Sequence, residues 1–147
     1  DLDRRRYATF AELYDYCYQV ASSVGLVCVS VLGDAYPDAF RYAELTGIGV
    51  QLVNILRDVG DDARRDRIYL PRDEMDAFGV SERDILDGRM TAELGRLLRF
   101  QARRARHYCE LAAAALPPRS RGRGSGQVDR LRPGWRSPWR GSRSRNR

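Results

Sequence analysis

The sequence predicts an all-α protein, and three observations favour that class. Apolar residues recur at helical spacing over two long stretches, residues 10–31 and 40–59. Residues of N-cap type, Thr9, Ser81 and Thr91, stand immediately before the predicted helices. The sequence shows no β-hairpin pattern, no internal repeat and no glycine-rich phosphate loop.

The first helix is predicted to begin at the capping-box sequence from Thr9 to Glu12, whose hydroxyl and carboxylate bind free backbone N–H groups. Its apolar positions continue to Val31, and Gly33 is a typical C-terminal stop. The valine-rich segment 24–32 could alternatively form a buried strand, but the longer helical period argues against it.

The second helix is predicted to begin after Pro37, with Asp38 as its N-cap, and to run to Val59. Apolar residues cover nearly its whole circumference, which is typical of a helix at the centre of a bundle. Gly47 and Gly49 would each cost about 1 kcal/mol relative to alanine in an exposed helix. They are expected where another helix or a ligand approaches closely.

The rest of the body is predicted to contain a connector at residues 68–71, a short helix from Ser81 to Leu86, and a last helix from Thr91 to Leu116. The arginines expected on the solvated face of the last helix are Arg103, Arg104 and Arg106. The cysteines are expected to be buried reduced thiols rather than a disulfide framework or a zinc site. They are Cys17, Cys28 and Cys109.

Charge divides the chain at Pro117. The 147-residue chain carries a net charge of +6. Residues 117–147 hold ten arginines against one acid, whereas residues 1–116 hold 16 arginines and 19 acids. The Arg-, Gly-, Ser- and Pro-rich tail, residues 117–147, is therefore predicted to be disordered. It is either a nucleic-acid-binding arm or, as its abrupt start favours, an out-of-frame product.

A line of polar residues runs along the second helix. Gln51, Asn54, Asp58, Asp61 and Asp62 fall within about 100° of its circumference. One interpretation is a solvent-facing stripe balanced by arginines. The other is a cavity wall, because crowded carboxylates repel unless a cation lies between them. Asp58 and Asp62 could then bind Mg²⁺, with an amide oxygen from Asn54.

Two segments carry a family resemblance. The run from Gln51 to Pro71 resembles the second aspartate-rich motif of the squalene/phytoene synthases, and the run from Tyr16 to Gly25 resembles their tyrosine-containing helix. The resemblance covers residues 7–116 and none of the tail. It implies an isoprenoid-synthase helical bundle that condenses two prenyl diphosphates, such as farnesyl or geranylgeranyl diphosphate, head-to-head in squalene, hopanoid or carotenoid biosynthesis.

The resemblance also implies roles for individual residues. Asp58 and Asp62 would act in catalysis as Mg²⁺ ligands, with Asn54 beside them. Arg57 and Arg67 would bind the diphosphate, since a guanidinium pairs with two phosphate oxygens at once.

Other matched residues are assigned to the cavity wall. Tyr16 would be a catalytic phenol near the reacting carbons. Gln51 and Asn54 would line the same site and orient the substrate or metal-bound water. The prenyl pocket would include Val20, Ala21 and Val24, although an ordinary core position is an equal alternative for the two valines.

The chain is expected to depart from the family pattern in several respects. No first aspartate-rich motif is found in residues 1–15. The helices that the resemblance places before Asp1 and after Leu116 are expected to be missing. Residues 1–116 are therefore expected to be a partial domain that is inactive and poorly folded alone. The squalene-pathway type is slightly favoured over the phytoene type. The alternatives are a helical protein with a nucleic-acid-binding arm and a regulatory protein with a dead metal site.

Hydropathy along the sequence and the family resemblance together suggest where the protein resides. No apolar run reaches the roughly 18–20 residues of a membrane helix, and no secretory signal is visible. A bacterial cytoplasmic location is expected, with peripheral membrane association through the apolar product as a further expectation. Prenyl diphosphates are the expected partners, with no specific nucleic acid. The sequence does not indicate an oligomeric state.

Overall fold

A computed structural model of the protein describes residues 4–32 and 38–115. These residues form α-helices and one π-helical turn without a β-strand, which confirms the all-α class. The helices are α1 Phe10–Cys17, α2 Ser23–Leu32, α3 Ala39–Ala63, α4 Arg72–Phe78, α5 Glu82–Leu86 and α6 Ala92–Ala114, with the π-turn at Tyr18–Ser22. The predictions for Gly33, Pro37, Leu116 and the tail lie outside the described residues.

The predicted first helix is helical throughout, so the strand alternative for its valine-rich half is wrong. α1, the π-turn and α2 follow one another without a break. The Thr9 hydroxyl accepts a hydrogen bond from the Glu12 backbone N–H at 3.5 Å, as expected for the N-cap. The Glu12 carboxylate accepts from the N–H of Ala8 at 2.7 Å, one residue before the position that a capping box would use.

Of the other three predicted helix starts, two have a side-chain cap and one does not. The Ser81 hydroxyl and the Asp84 carboxylate cap each other's backbone N–H groups at the start of α5. The Thr91 hydroxyl accepts from the Leu94 N–H at 3.1 Å at the start of α6. Asp38 occupies the N-cap position of α3, but its side chain makes no capping hydrogen bond.

Helix α3 lies at the centre of the described fold and packs against α6, α2 and the π-turn. A Cβ atom on Gly47 would lie 2.6 Å from the backbone of Ser22, and one on Gly49 would lie 2.8 Å from Cys109 Sγ. The glycines therefore mark close helix–helix approaches, as predicted. Because Gly25 faces Ala43 while Ser22 faces Gly47, α2 and α3 run antiparallel.

The core forms two clusters. The first joins the segment before α1 to α1, α3 and α6, and contains Tyr7, Leu13, Cys17, Ile48, Leu52, Ile55 and Ala105. The second lies beneath α4 and α5, and contains Ala63, Ile68, Leu70, Met75, Val80, Ile85, Leu94 and Leu97. Together they bury one side of the helix that bears the polar line.

Helix α4 was missed by the sequence analysis. Only Met75 is fully buried in it, with Phe78 packed at the edge of the second cluster. Such a short helix has too few apolar positions to show a period. Gly79, with a left-handed φ of 72°, ends it and is the one sequence feature that could have indicated it.

The expectation that Arg104 is solvated was wrong. Its side chain is only 19% exposed and pairs with Glu74 at 2.6 Å. The guanidinium carbon lies 3.8 Å from the Phe10 ring centroid and 4.8 Å from that of Phe100. Arg104 is buried because a carboxylate from α4 and two aromatic rings surround it. Arg103 and Arg106 are exposed as expected.

The cysteine expectation was partly wrong. All three are free thiols, and Cys17 is buried, but Cys28 and Cys109 are exposed. Among the described residues, no helix combines the length and apolar character needed to cross a bilayer.

Candidate active site

The polar line of α3 faces an open pocket of about 190 Å³. The residues that line it are Tyr16, Gln51, Asn54, Ile55, Asp58, Asp62 and Tyr69. The helical period places the four polar α3 residues on one side of the helix. Tyr16 comes from α1, and Tyr69 comes from the connector after α3. Ile55 and Tyr69 are the pocket residues to which the sequence analysis assigned no role.

The carboxylates of the polar line have different surroundings. Arg57 engages both oxygens of Asp58, with Nε–Oδ1 and Nη2–Oδ2 distances of 2.7 Å. This pairing lowers the pKa of Asp58. Asp62 makes no ion pair or side-chain hydrogen bond with the described residues, and burial, followed by the charge of Asp58, raises its pKa. Asp61 lies outside the pocket lining and pairs with Arg64.

The oxygen donors in the pocket fit Mg²⁺. The described residues include no group of three His, Cys, Asp or Glu side chains arranged to hold a metal. The pocket instead offers carboxylates from Asp58 and Asp62 and amide oxygens from Asn54 and Gln51. Mg²⁺ is typically bound by one or two carboxylates while water and substrate phosphates complete its shell. This donor set suits a metal that arrives with a phosphate ligand.

Two tyrosines form the opposite wall. The rings of Tyr16 and Tyr69 have centroids 5.2 Å apart. Tyr7 packs behind both, at 5.4 Å from Tyr16 and 5.7 Å from Tyr69. Burial, followed by hydrogen bonding to Tyr69, raises the pKa of Tyr16. Tyr16 is therefore a neutral phenol near pH 7, with a single O–H proton that can be donated either to Tyr69 or into the pocket.

Backbone hydrogen bonds hold Tyr69 in place. The Ile68 N–H donates to the Arg5 carbonyl at 3.0 Å, and the Arg72 N–H donates to the Tyr7 carbonyl at 2.9 Å. The connector is thus fastened to the segment before α1. A chain segment far away in sequence decides that Tyr69 reaches the pocket.

The two predicted diphosphate-binding arginines lie at different places. Arg67 lines a small cavity adjoining the pocket, together with Asp62 and Tyr69. Arg57 is 67% exposed and reaches the pocket only through its pairing with Asp58. Arg57 therefore contacts the carboxylate pair directly, whereas Arg67 shares only an adjoining cavity with Asp62.

The predicted prenyl-pocket residues do not line the polar pocket. Val20 and Val24 are 37% and 61% exposed, so their alternative as ordinary core residues is wrong. Ala21 is half-buried. The two valines belong to a set of exposed valines on the π-turn, α2 and α3 that we name the valine face: Val20, Val24, Val27, Val50 and Val53.

Comparison with known proteins agrees with the motifs. The family model for squalene/phytoene synthase matches residues 1–144, a range that extends beyond the expected 7–116. A phytoene synthase of Arthrospira platensis is 47% identical over 134 residues, covering 80% of this chain and 43% of the relative. The 15-cis-phytoene synthase of Synechococcus elongatus is 44% identical over 124 residues, covering 76% and 40%. The chain therefore spans less than half the length of these relatives.

Solved structures show the same likeness. The squalene synthase HpnC of Alicyclobacillus acidocaldarius superposes with a TM-score of 0.73 at 27% identity, covering 78% of this chain and 44% of that one. A dehydrosqualene synthase crystallised with a ligand gives a TM-score of 0.70 at 35% identity, covering 76% and 40%. With the motifs, the helical fold and the family match in agreement, this chain belongs to the squalene/phytoene synthase family.

Proposed function

We propose that this chain forms the part of a head-to-head prenyl synthase that binds the diphosphate of a prenyl substrate together with Mg²⁺. The observation that supports it best is the pocket itself, where Asp58 and Asp62 lie beside Asn54 and face the phenol of Tyr16. Homologous enzymes that make phytoene support the reaction class.

Each pocket residue has a chemical task in this proposal. Asp58 and Asp62 offer anionic oxygens to the metal, and Asn54 and Gln51 orient its ligands through their amides. Mg²⁺, when bound, would neutralise the diphosphate and make it a better leaving group. Tyr16 donates a hydrogen bond to the departing diphosphate or faces the allylic cation with its ring.

The reaction proposed for the whole enzyme joins two substrates. The carbon–oxygen bond of one prenyl diphosphate breaks, and the diphosphate leaves with the electron pair. The double bond of the second substrate attacks the resulting allylic cation, and loss of a proton gives a cyclopropylcarbinyl diphosphate. Apolar walls would keep water from the cation. The phytoene type is favoured here, because the curated relatives with 44–49% identity are phytoene synthases.

The test is Mg²⁺-dependent binding of inorganic pyrophosphate by calorimetry. We expect the double variant Asp58→Asn/Asp62→Asn to lose at least about tenfold in affinity, because two anionic metal ligands become neutral. The matched control is Asp61→Asn, since that carboxylate is 62% exposed and lies outside the pocket. It should change the affinity by less than about twofold.

Titrations without Mg²⁺ distinguish binding at the pocket, which should need the metal, from binding by the arginine-rich residues 117–147, which should not. Circular dichroism at each step verifies that the variants keep their helix content. The proposal is wrong if pyrophosphate binding shows no Mg²⁺ dependence, or if Asp61→Asn weakens it as much as the double variant does.

A further inference from the structure

We propose that Arg57 is an exchangeable counterion of the pocket: its guanidinium holds Asp58 before the metal binds and moves to the diphosphate when Mg²⁺ takes the carboxylate. The inference rests on the proposed function of the pocket and adds an order of events within it. It follows from the contrast between two carboxylates one helical turn apart.

Arg57 and Asp58 form a bidentate ion pair. Arg57 contacts Asp58 through two parallel hydrogen bonds, Nε–Oδ1 and Nη2–Oδ2, each 2.7 Å long. Both carboxylate oxygens of Asp58 are thus already engaged by a cation. A divalent ion that binds Asp58 competes with the guanidinium for these oxygens and for the carboxylate charge.

The Arg57–Asp58 ion pair contributes little to stability. The Arg57 side chain is 67% exposed and that of Asp58 is 37% exposed. Exposed ion pairs contribute little to stability, since water and salt screen them. No other described contact holds the Arg57 side chain, so its guanidinium can leave Asp58 at small cost and without moving the helix.

Asp62, one helical turn from Asp58, has different surroundings. Its carboxylate lines the same pocket but has no ion-pair partner among the described residues, and it lies close enough to Asp58 for their charges to interact. The pocket therefore combines one carboxylate in a bidentate arginine pair with one that has no direct ion-pair partner among the described residues. A divalent cation would satisfy both, and the displaced guanidinium would then stand beside the incoming anion.

The test compares binding of Mg²⁺ alone with binding of pyrophosphate in the presence of Mg²⁺, by calorimetry on the whole chain. For Arg57→Gln, we expect the affinity for Mg²⁺ alone to rise about two- to fivefold, because a competitor of exposed-pair strength is removed. The affinity for pyrophosphate with Mg²⁺ should fall about tenfold, because an anion ligand is lost. The proposal specifically predicts that the affinity for Mg²⁺ alone rises while the affinity for pyrophosphate with Mg²⁺ falls.

The matched control is Arg64→Gln. Arg64 is 75% exposed and pairs with Asp61, outside the pocket lining, so its loss removes the same charge from the same helix end. Both affinities should change by less than about twofold. A second readout is the NMR signal of the Arg57 Nε–H, assigned by its absence in Arg57→Lys. Mg²⁺ alone should move it from a carboxylate-bonded to a solvent-exposed shift.

The proposal is overturned if Arg57→Gln shifts both affinities in the same direction, or if it behaves like Arg64→Gln. An Nε–H signal that Mg²⁺ leaves unchanged overturns it as well. These results differ from a failure of the proposed function, in which the unmodified chain itself shows no Mg²⁺-dependent pyrophosphate binding and both proposals fall.

Discussion

At the scale of single residues, surroundings decide what identical side chains can do. Asp58 and Asp62 are the same residue type on the same helix face, yet an arginine lowers the pKa of the first while burial raises that of the second. Tyr16 is likewise kept protonated by burial and by Tyr69. The pocket therefore combines carboxylate oxygens with a neutral phenol.

The buried thiol of Cys17 makes stability depend on alkaline pH. Burial raises its pKa to about 12 from an ordinary value of 9.0. Above pH 9 the unfolded chain loses the thiol proton while the folded chain keeps it, so the free energy of unfolding falls as pH rises towards 12. Between pH 8 and pH 10 we expect Cys17 to contribute a loss of about 1.4 kcal/mol.

Urea unfolding at the two pH values measures this loss. Cys17→Ala should be less stable at pH 8 and should lose less stability on going to pH 10. Cys109→Ala is the control, since it removes a thiol from an exposed position. An equal pH dependence in the Cys17 variant and the original chain would contradict the assignment.

At the scale of helices, two kinds of contact decide how the elements pack: a close approach at a glycine and a buried arginine that joins several helices. Gly47 lets α3 meet the π-turn at Ser22, and the Ser22 hydroxyl donates to the Glu44 carbonyl at 2.9 Å across the same contact. Arg104 joins three elements, because Glu74 of α4 pairs with it while Phe10 of α1 contacts its face. These contacts hold α3 against the π-turn and α6 against α1 and α4.

Alanine at two glycines of the same helix should have opposite effects. Gly47→Ala places a Cβ 2.6 Å from the Ser22 backbone, so the helices must separate, and we expect a loss of about 2 kcal/mol. Gly60→Ala has nothing within 4 Å and should gain about 0.5–1 kcal/mol from helix propensity. Urea unfolding compares the two. A Gly47 variant as stable as the original chain would show that the contact is looser than described.

The buried arginine can be tested with its exposed neighbour. Arg104→Met leaves Glu74 without its cation in a mostly buried position, and we expect a loss of about 3 kcal/mol. Arg103→Met, on the exposed side of α6, should change stability by no more than about 0.5 kcal/mol. The double variant Glu74→Met/Arg104→Met should recover part of the loss, because no unpaired charge then remains. Equal losses for the two single variants would contradict the buried pairing.

At the scale of the whole molecule, the described fold leaves an apolar surface open. The valine face includes Val24 and Val27, which are 61% and 63% exposed, and Val50 of α3, which is 50% exposed. Where exposed apolar side chains adjoin, they mark a surface that another molecule or chain segment often covers. The described residues also supply only one carboxylate pair to the pocket. We therefore expect the isolated chain to bind a diphosphate without completing the condensation.

Two measurements check this expectation. Incubation of the chain with geranylgeranyl diphosphate and Mg²⁺ should give no hydrocarbon product by mass spectrometry, and turnover would contradict it. Val24→Ser/Val27→Ser should reduce binding of the apolar dye ANS and change unfolding free energy by about 0.5 kcal/mol at most. Val80→Ser, in the buried core, should instead raise dye binding and lower stability.

The long helices and the polar line were predictable because they depend on local spacing. The period of α3 places Gln51, Asn54, Asp58 and Asp62 on one face whatever surrounds the helix. The caps at Thr9 and Thr91 likewise involve residues only three positions apart. The short helix α4 was not predictable in the same way, because its few apolar residues show no period.

Local sequence patterns were enough to predict the helical class, the helix face that bears the carboxylates and the family to which the chain belongs. The tertiary structure alone decided that Tyr69 joins Tyr16 at the pocket, that Arg104 is buried and that Val24 is exposed. The physical reason is the range of the interactions. Helical period and capping act between neighbours in sequence, whereas burial and ion pairing depend on residues that only the folded chain brings together.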